Sequence, residues 1–391
     1  MTSAVELDSL VLPGAPVCYG ILMPGADTPG GVPVVKVRDY DHSGIDVAKL
    51  LRTAPNIEAA YRRSRLKPGD ILMSIRGTTG VVAVVPPELE GANITQDTAR
   101  IRVDARERDY VYQALHAPAV QRQIRLHTIG QAVKGINIAS LRKLRIPWPD
   151  SNTRRLIART LADCDTLMRA CRALEQQKLS LKRGLMQQLL TGKKRFPEFT
   201  ASKWDETRLG DIFAERIEIN RPDLQLMSVT GDRGVIPRDE LEKRDTSNPD
   251  KSKYKRVAMG DIAYNTMRMW QGVSALSSLE GIVSPAYTVL IPSPRVNARF
   301  AKHLFKFPPV VHLFHRHSQG LVDDTLSLKY ERFANIALKL PTDPTEQEKI
   351  ADVLDLCDRE ITLLSARNSQ IELKKRALLC KLLAGEIQVQ P

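Results

Sequence analysis

The stretch IARTLADCDTLMRACRALEQQKLSLKRGLMQQLLTG, residues 157–192, returns as IADVLDLCDREITLLSARNSQIELKKRALLCKLLAG, residues 350–385, at a constant offset of 193 and without a gap. Thirteen of the 36 aligned pairs are identical, among them Cys164/Cys357, Asp165/Asp358, Lys182/Lys375, Arg183/Arg376 and Gly192/Gly385. Both copies lack proline and hold almost no glycine before their ends, so each reads as one long helix of roughly 54 Å. In both, a seam repeats in steps of four and three. The first seam is Ile157, Leu161, Cys164, Met168, Cys171, Glu175, Lys178, Lys182, Leu185, Leu189. The second is Ile350, Leu354, Cys357, Ile361, Leu364, Asn368, Ile371, Lys375, Leu378, Leu382. Each is apolar at its ends and polar at matching places between, which suggests positions that set register or face another chain. A lone rod cannot hide such a stripe, so the two copies are expected to pair antiparallel. Their charges agree, since residues 151–200 carry a net +7 and residues 342–391 a net −2. Asp150-Ser151-Asn152 starts the first rod, and Pro341-Thr342-Asp343-Pro344-Thr345 with Glu346 and Glu348 starts the second. Gly192 and Gly385 stop them.

Outward from the rods lie two segments of similar length, 1–150 and 201–341, each with a net charge of +4. Both hold short β-like runs broken by Gly and Pro. In the first these are residues 32–37, 70–75 and 80–85, and in the second 260–264 and 287–291. Lys67-Pro68-Gly69-Asp70-Ile71 parallels Ala258-Met259-Gly260-Asp261-Ile262, and each segment closes on an apolar run with proline, Ile146-Pro147 and Leu340-Pro341. The order is globule, rod, globule, rod. We therefore expect an α/β protein of two globular domains, joined by two long antiparallel coiled-coil helices and related as a pseudo-twofold tandem duplication. The expected divisions are 1–147, 148–195, 196–341 and 342–391.

The chain has 391 residues, 42% hydrophobic and 26% charged, enough to bury sizeable cores. A net charge of +13 and a sequence pI near 9.5 favour a polyanionic partner, nucleic acid before a membrane surface. The five cysteines are an odd number with no C-x-x-C pair, against a disulfide framework or a four-thiolate zinc site. The opening lacks a basic region before an apolar core, and no apolar run approaches 18 residues. A soluble, untargeted, cytoplasmic protein with no membrane partner is the expectation.

Lys182-Arg183-Gly184-Leu185-Met186-Gln187-Gln188-Leu189-Leu190-Thr191-Gly192-Lys193-Lys194-Arg195 resembles the end of the central conserved helix in specificity subunits of type I restriction–modification systems. The likeness runs through the chain. Ile146-Pro147 entering the first rod, Leu340-Pro341 with Glu346 to Ile350 entering the second, and the ending Leu382-Leu383-Ala384-Gly385 are similar to that family's pattern. Trp204 with Leu209-Gly210-Asp211-Ile212, Gly281-Ile282-Val283-Ser284-Pro285-Ala286-Tyr287, Gly77-Thr78-Thr79-Gly80 and the stretch from Gly130-Gln131 to Gly135-Ile136-Asn137 resemble its target recognition domains. Two departures stand out. The first globule lacks the Trp…Leu-Gly-Asp opening, with Val5 to Val11 a loose substitute, and Asp323-Asp324 stands where the first globule has Val133-Lys134. The resemblance implies a non-catalytic, sequence-specific DNA-binding subunit of the restriction system, its target recognition domains placed on an asymmetric bipartite site of double-stranded DNA. It also implies paired helices that act as a ruler and dock two modification (methyltransferase) subunits, with motor-nuclease restriction subunits added.

Local motifs support the absence of chemistry. A P-loop would need glycine at Gln187 and a preceding strand. The Asn/Asp-Pro-Pro-aromatic loop of adenine methyltransferases is missing, and the E-x-K of Glu372-Leu373-Lys374 lies within a rod, where it reads as solvated surface. His312, His315 and His317 have no fourth ligand at regular spacing, so no metal is expected, and no cofactor motif occurs. Cys164, Cys171 and Cys357 fall on the seams as structural thiols.

Candidate DNA contacts come from recurrence. Arg62, Arg63, Arg65 and Lys67 precede one Gly-Asp turn, and Lys251, Lys253, Lys255 and Arg256 precede the other, suiting phosphate contact. Arg76, Asn265, Arg268 and Gln271 follow the Gly-Asp strands and can offer paired donors or acceptors to base edges. Thr78 and Lys134 join them from the resemblance. Ile157, Leu161, Met168, Leu185, Leu189, Ile350, Leu354, Ile361, Leu378 and Leu382 are expected to form the helix seam and partner docking surface. Two rivals remain, a nuclease or methyltransferase with fused specificity regions and an interaction scaffold without DNA specificity.

Overall fold

The computed structural model describes residues 3–41, 44–130, 134–231, 233–241, 247–322 and 325–387. Gln131, Val133, Asp323 and Asp324, singled out above, lie outside the described residues. The chain divides into two compact units, Met1–Ala173 with Ser365–Pro391, and Leu174–Leu364.

The first unit is built on an antiparallel sheet of β1 (Cys18–Tyr19), β2 (Ile71–Ser74), β3 (Val82–Val84) and β4 (Thr98–Ile101), in the spatial order β1-β4-β2-β3. Every residue of β2 and β4 is buried, because both faces are covered. Side chains alternate accordingly, with Ile71 and Met73 in one core and Leu72 in another. Helices α1 (Ala105–Leu115) and α2 (Pro118–His127) cover the first face, where Tyr110, Val111, Val120 and Ile124 meet Ile71 and Met73. The run expected over 32–37 stops as a strand at Val35, because Lys36 opens a turn in which its N–H donates to Asp39 Oδ2 at 2.8 Å.

The rod is α3 (Ser151–Leu189). Asp150 caps it, its Oδ1 accepting from Thr153 N at 3.0 Å and its Oδ2 from the Thr153 hydroxyl at 2.6 Å.

The second unit repeats the plan. Strands β5 (Phe213–Glu215), β6 (Ile262–Asn265), β7 (Ser274–Leu276) and β8 (Tyr287–Pro292) lie in the order β5-β8-β6-β7, again antiparallel. Helices α4 (Ala298–Leu304) and α5 (Pro308–His317) cover Ile262 and Tyr264, while Ala263 turns to the other core. The second rod, α6 (Pro344–Ala384), begins with Pro344 at its first position and with Asp343 Oδ1 accepting from Thr345 N at 2.9 Å. Gly192 and Gly385, at φ +68° and +74°, take the left-handed conformation that ends each rod.

Each globule is closed by pairing its first strand with its last, Ala4–Glu6 with Arg145–Pro147 and Trp204–Arg208 with Ala337–Pro341. The missing Trp…Leu-Gly-Asp opening of the first globule thus costs it nothing in topology. Leu7 stands where Leu209 does, both fully buried, with Leu7 N donating to Leu144 O and Leu209 N to Ile336 O.

The helices pair antiparallel within each unit. In the first, Ile157, Ala158 and Leu161 of α3 share a core with Leu379, Leu382 and Leu383 of α6. In the second, Met186 and Leu189 of α3 share one with Ile350, Ala351 and Leu354 of α6. None of the twenty seam residues is exposed. The three lysines of the seams are explained by ion pairs, Lys375 with Asp165 at 2.6 Å in the first unit, and Lys182 with Asp358 and Lys178 with Glu360 at 2.7 Å in the second, with Lys375–Asp165 and Lys182–Asp358 equivalent in the repeat.

Candidate nucleic-acid interface

Both globules turn into their central strand through the same device. Gly69 and Gly260 sit at φ +88° and +90°, and the aspartate that follows folds back so that Asp70 Oδ2 accepts from Lys67 N and Asp261 Oδ2 from Ala258 N, each at 2.8 Å. Both carboxylates are buried and each is gripped by an arginine fork, Asp70 by Arg102 and Asp261 by Arg216, with closest approaches of 2.6 Å. The turn fixes where the strand starts, and hence where the loop after it emerges.

At the far end of β2, Arg76 is exposed, and its Nη1 donates to Gln96 Oε1 at 3.0 Å. The pair lines a hollow of about 530 Å³ with Tyr19 and Asn137. Arg63 lies over the Tyr19 ring at 5.7 Å, and the Lys134 carbonyl accepts from Gly77 N at 2.9 Å. Of the predicted cations of the first globule, Arg76 lines the hollow itself, Arg63 lies against its Tyr19, and Lys134 contacts Gly77, beside Arg76, through its backbone. Arg65 is instead bound to the buried Glu58 at 2.5 Å, whose carboxyl that hydrogen bond holds below its ordinary pKa. Arg62 and Lys67 are exposed. Thr78 is not part of the hollow and lines a separate groove against α2 and the rod.

At the corresponding end of β6, Asn265 is half-buried and lines a hollow of about 750 Å³ with Arg238, Lys253, Tyr254 and Tyr287. Asn265 Oδ1 accepts from Met267 N at 3.0 Å, which shapes the loop carrying the exposed Arg268 and Gln271. Lys251 sits over the Tyr254 ring at 4.7 Å. Lys255 and Arg256 are half-buried and neutralised within their own globule, by Glu215 at 3.0 Å and by Glu218 and Glu280 at 2.8 and 2.6 Å. Their place is to hold the strand Lys255–Val257, and the cations that line the hollow are Lys253 and Arg238.

Tyr19, Gln96 and Arg238 escaped the sequence reading, because only the sheet brings them beside Arg76 and Asn265. The histidines do not converge as ligands. His312 and His315 are exposed, with His315 edge-on to Trp270 at 5.8 Å. Among the described residues the convergent group is His303, Asp355 and Asp358 in the second unit, where His303 Nε2 lies 2.8 Å from Asp355 Oδ1. Both carboxylates are already bound by ammonium groups, Asp355 by Lys302 at 2.5 Å and Asp358 by Lys182, so the group is an ion network. Cys357 is buried on the seam, and desolvation raises the pKa of its thiol and that of Cys164. Glu372, Leu373 and Lys374 are exposed on α6.

No family model matches the chain. Over 159 residues, 40% of its length, it is 26% identical to the type I restriction enzyme EcoBI specificity subunit of Escherichia coli. That match spans about a third, 33%, of the curated relative. The S subunit of a type I restriction-modification system from M. genitalium has a TM-score of 0.60 at 17% identity, covering 98% of this chain and 96% of that one. The chain has the type I specificity-subunit fold. A chain from a structure of complex assembly and conformational transition of the type I R-M system has a TM-score of 0.54 at 18% identity, the match covering 98% of this chain and 98% of that one. The resemblance to specificity subunits is borne out, as is their architecture of helices and sheets. No helix among the described residues is long and apolar enough to cross a membrane.

Proposed function

We propose that the chain is the non-catalytic, cytoplasmic specificity subunit of a type I restriction–modification complex. It reads an asymmetric bipartite site in double-stranded DNA, the globule of residues 1–147 taking one half and that of 196–341 the other. The rods, 148–195 and 342–391, dock two modification subunits, to which motor-nuclease subunits add. The observation that carries this reading is one sheet topology used twice with different residues at the same strand end, Arg76 and Gln96 in one globule and Asn265, Arg268 and Gln271 in the other. A shared scaffold with unlike reading loops suits an unlike pair of half-sites. The seam residues Ile157, Leu161, Leu189, Ile350, Leu354 and Leu382 are buried within the units, so docking falls to exposed leucines such as Leu167, Leu356 and Leu363. The test is methylation-sensitive sequencing of DNA from cells carrying the chain with and without its modification subunit. A methylated, bipartite, asymmetric motif that needs both proteins supports the reading. Methyl transfer by the purified chain alone would make it an enzyme, and equal affinity for every duplex would make it a scaffold.

A further inference from the structure

A groove of about 470 Å³ in the first unit lies between the turn at Thr78, Thr79 and Gly80, helices α1 and α2, and the paired rod segments. Its wall is fixed. Gln121 Nε2 donates to Gly80 O at 2.9 Å and to Leu115 O at 2.8 Å, and the Thr79 and Thr128 hydroxyls meet at 3.1 Å. Met168, Val81 and the buried Leu379 supply apolar lining, and Arg125, Arg172 and Arg376 supply charge. Lys375 in the same groove is cancelled by Asp165, but the three arginines have no ion pair among the described residues, and Glu372 is the one unpaired carboxylate among the lining groups.

The duplication does not demand this charge. At the offset of 193 in the rods, Arg376 matches Arg183 but Arg172 matches Ser365. Aligning Pro118 on Pro308 and Gly130 on Gly320 sets Arg125 against His315. Three free guanidinium groups around an apolar lining are therefore a property of the first unit alone. A DNA backbone would satisfy the arginines and leave the lining against water, whereas an amphipathic segment with carboxylates satisfies both.

We infer that this groove docks an acidic, amphipathic segment of a partner protein. The inference goes beyond DNA recognition, and peptide binding reads it whether or not the chain selects a DNA site. The probe is a fluorescein-labelled helical peptide of glutamate and leucine, titrated by anisotropy against the full chain, beside the same peptide with lysine for glutamate and a mixed-sequence duplex. The acidic peptide binds, the basic one does not, and the variant Arg125→Gln/Arg172→Gln/Arg376→Gln weakens binding ~tenfold or more. The corresponding Lys triple variant retains most of it, Arg183→Gln has no effect, and thermal unfolding of each variant matches wild type because no ion pair is lost. Absent binding of the acidic peptide, or binding indifferent to the triple variant, overturns the inference. So does a triple variant that loses DNA affinity while keeping the peptide, which would assign the groove to nucleic acid.

Discussion

Asp70 and Asp261 hold the same place in the two globules, yet their arginine partners come from different strands. Arg102 follows β4, and Arg216 follows β5. The turn was legible because its glycine, aspartate and accepted N–H lie within four residues. The partners were not, since they lie 32 and 45 residues away and only the sheet brings them close. A buried carboxylate held by a fork and a backbone N–H leaves an uncompensated arginine when removed, so Asp261→Ala should cost about 3 kcal/mol or more in urea unfolding. A second contrast lies at the rods. Gln113 donates to Asp165 at 2.8 Å in the first unit, while His303 meets Asp355 and Asp358 in the second, with Lys302 and Lys182 beside it. Burial, then the Lys302 charge, pushes the His303 pKa down to about 4 from its ordinary 6.5. Between those values the unfolded chain takes up a proton that the folded one refuses, so stability falls as pH falls. The loss should be about 2 kcal/mol between pH 7 and pH 5. Urea titrations at both values should show this loss reduced in His303→Gln, and equal losses in the two proteins would refute the assignment.

The two rods were the most legible elements, because a period of 3.5 kept over 36 residues admits no alternative to a long helix with a buried stripe. What their pattern could not give was the partner of each polar position. For two of them the structure answers with Asp165–Lys375 and its repeat Lys182–Asp358. Both members of the first pair are mostly buried, so each single reversal sets like charges together. Asp165→Lys or Lys375→Asp should destabilise by about 1–3 kcal/mol, and the double exchange should recover most of it. A non-interacting pair would give additive losses in the same thermal unfolding series. By contrast, the short strands of the globules were legible only in outline, since residues such as Lys36 and Asp39 end them by local turn chemistry.

At the scale of the whole molecule, the duplication was plain in the rods and faint in the globules. The β1-β4-β2-β3 order and its copy β5-β8-β6-β7 emerge only with the strand pairings, and they survive a first globule that lacks the tryptophan and Leu-Gly-Asp of the second. If the rods set the spacing, one added heptad in both α3 and α6 lengthens the ruler by about 10.5 Å, close to 3 bp. Motif sequencing of that variant should find the spacer longer by about that amount. The central claim is that each globule reads its own half of one site. The direct measurement is the methylated motif mapped for wild type, for Arg76→Ala, and for Asn265→Ala/Arg268→Ala/Gln271→Ala, each with the same modification subunit. The account predicts that Arg76→Ala relaxes bases in one half only and that the triple variant relaxes the other half only. Both halves changing together, or neither changing in either variant, would contradict it.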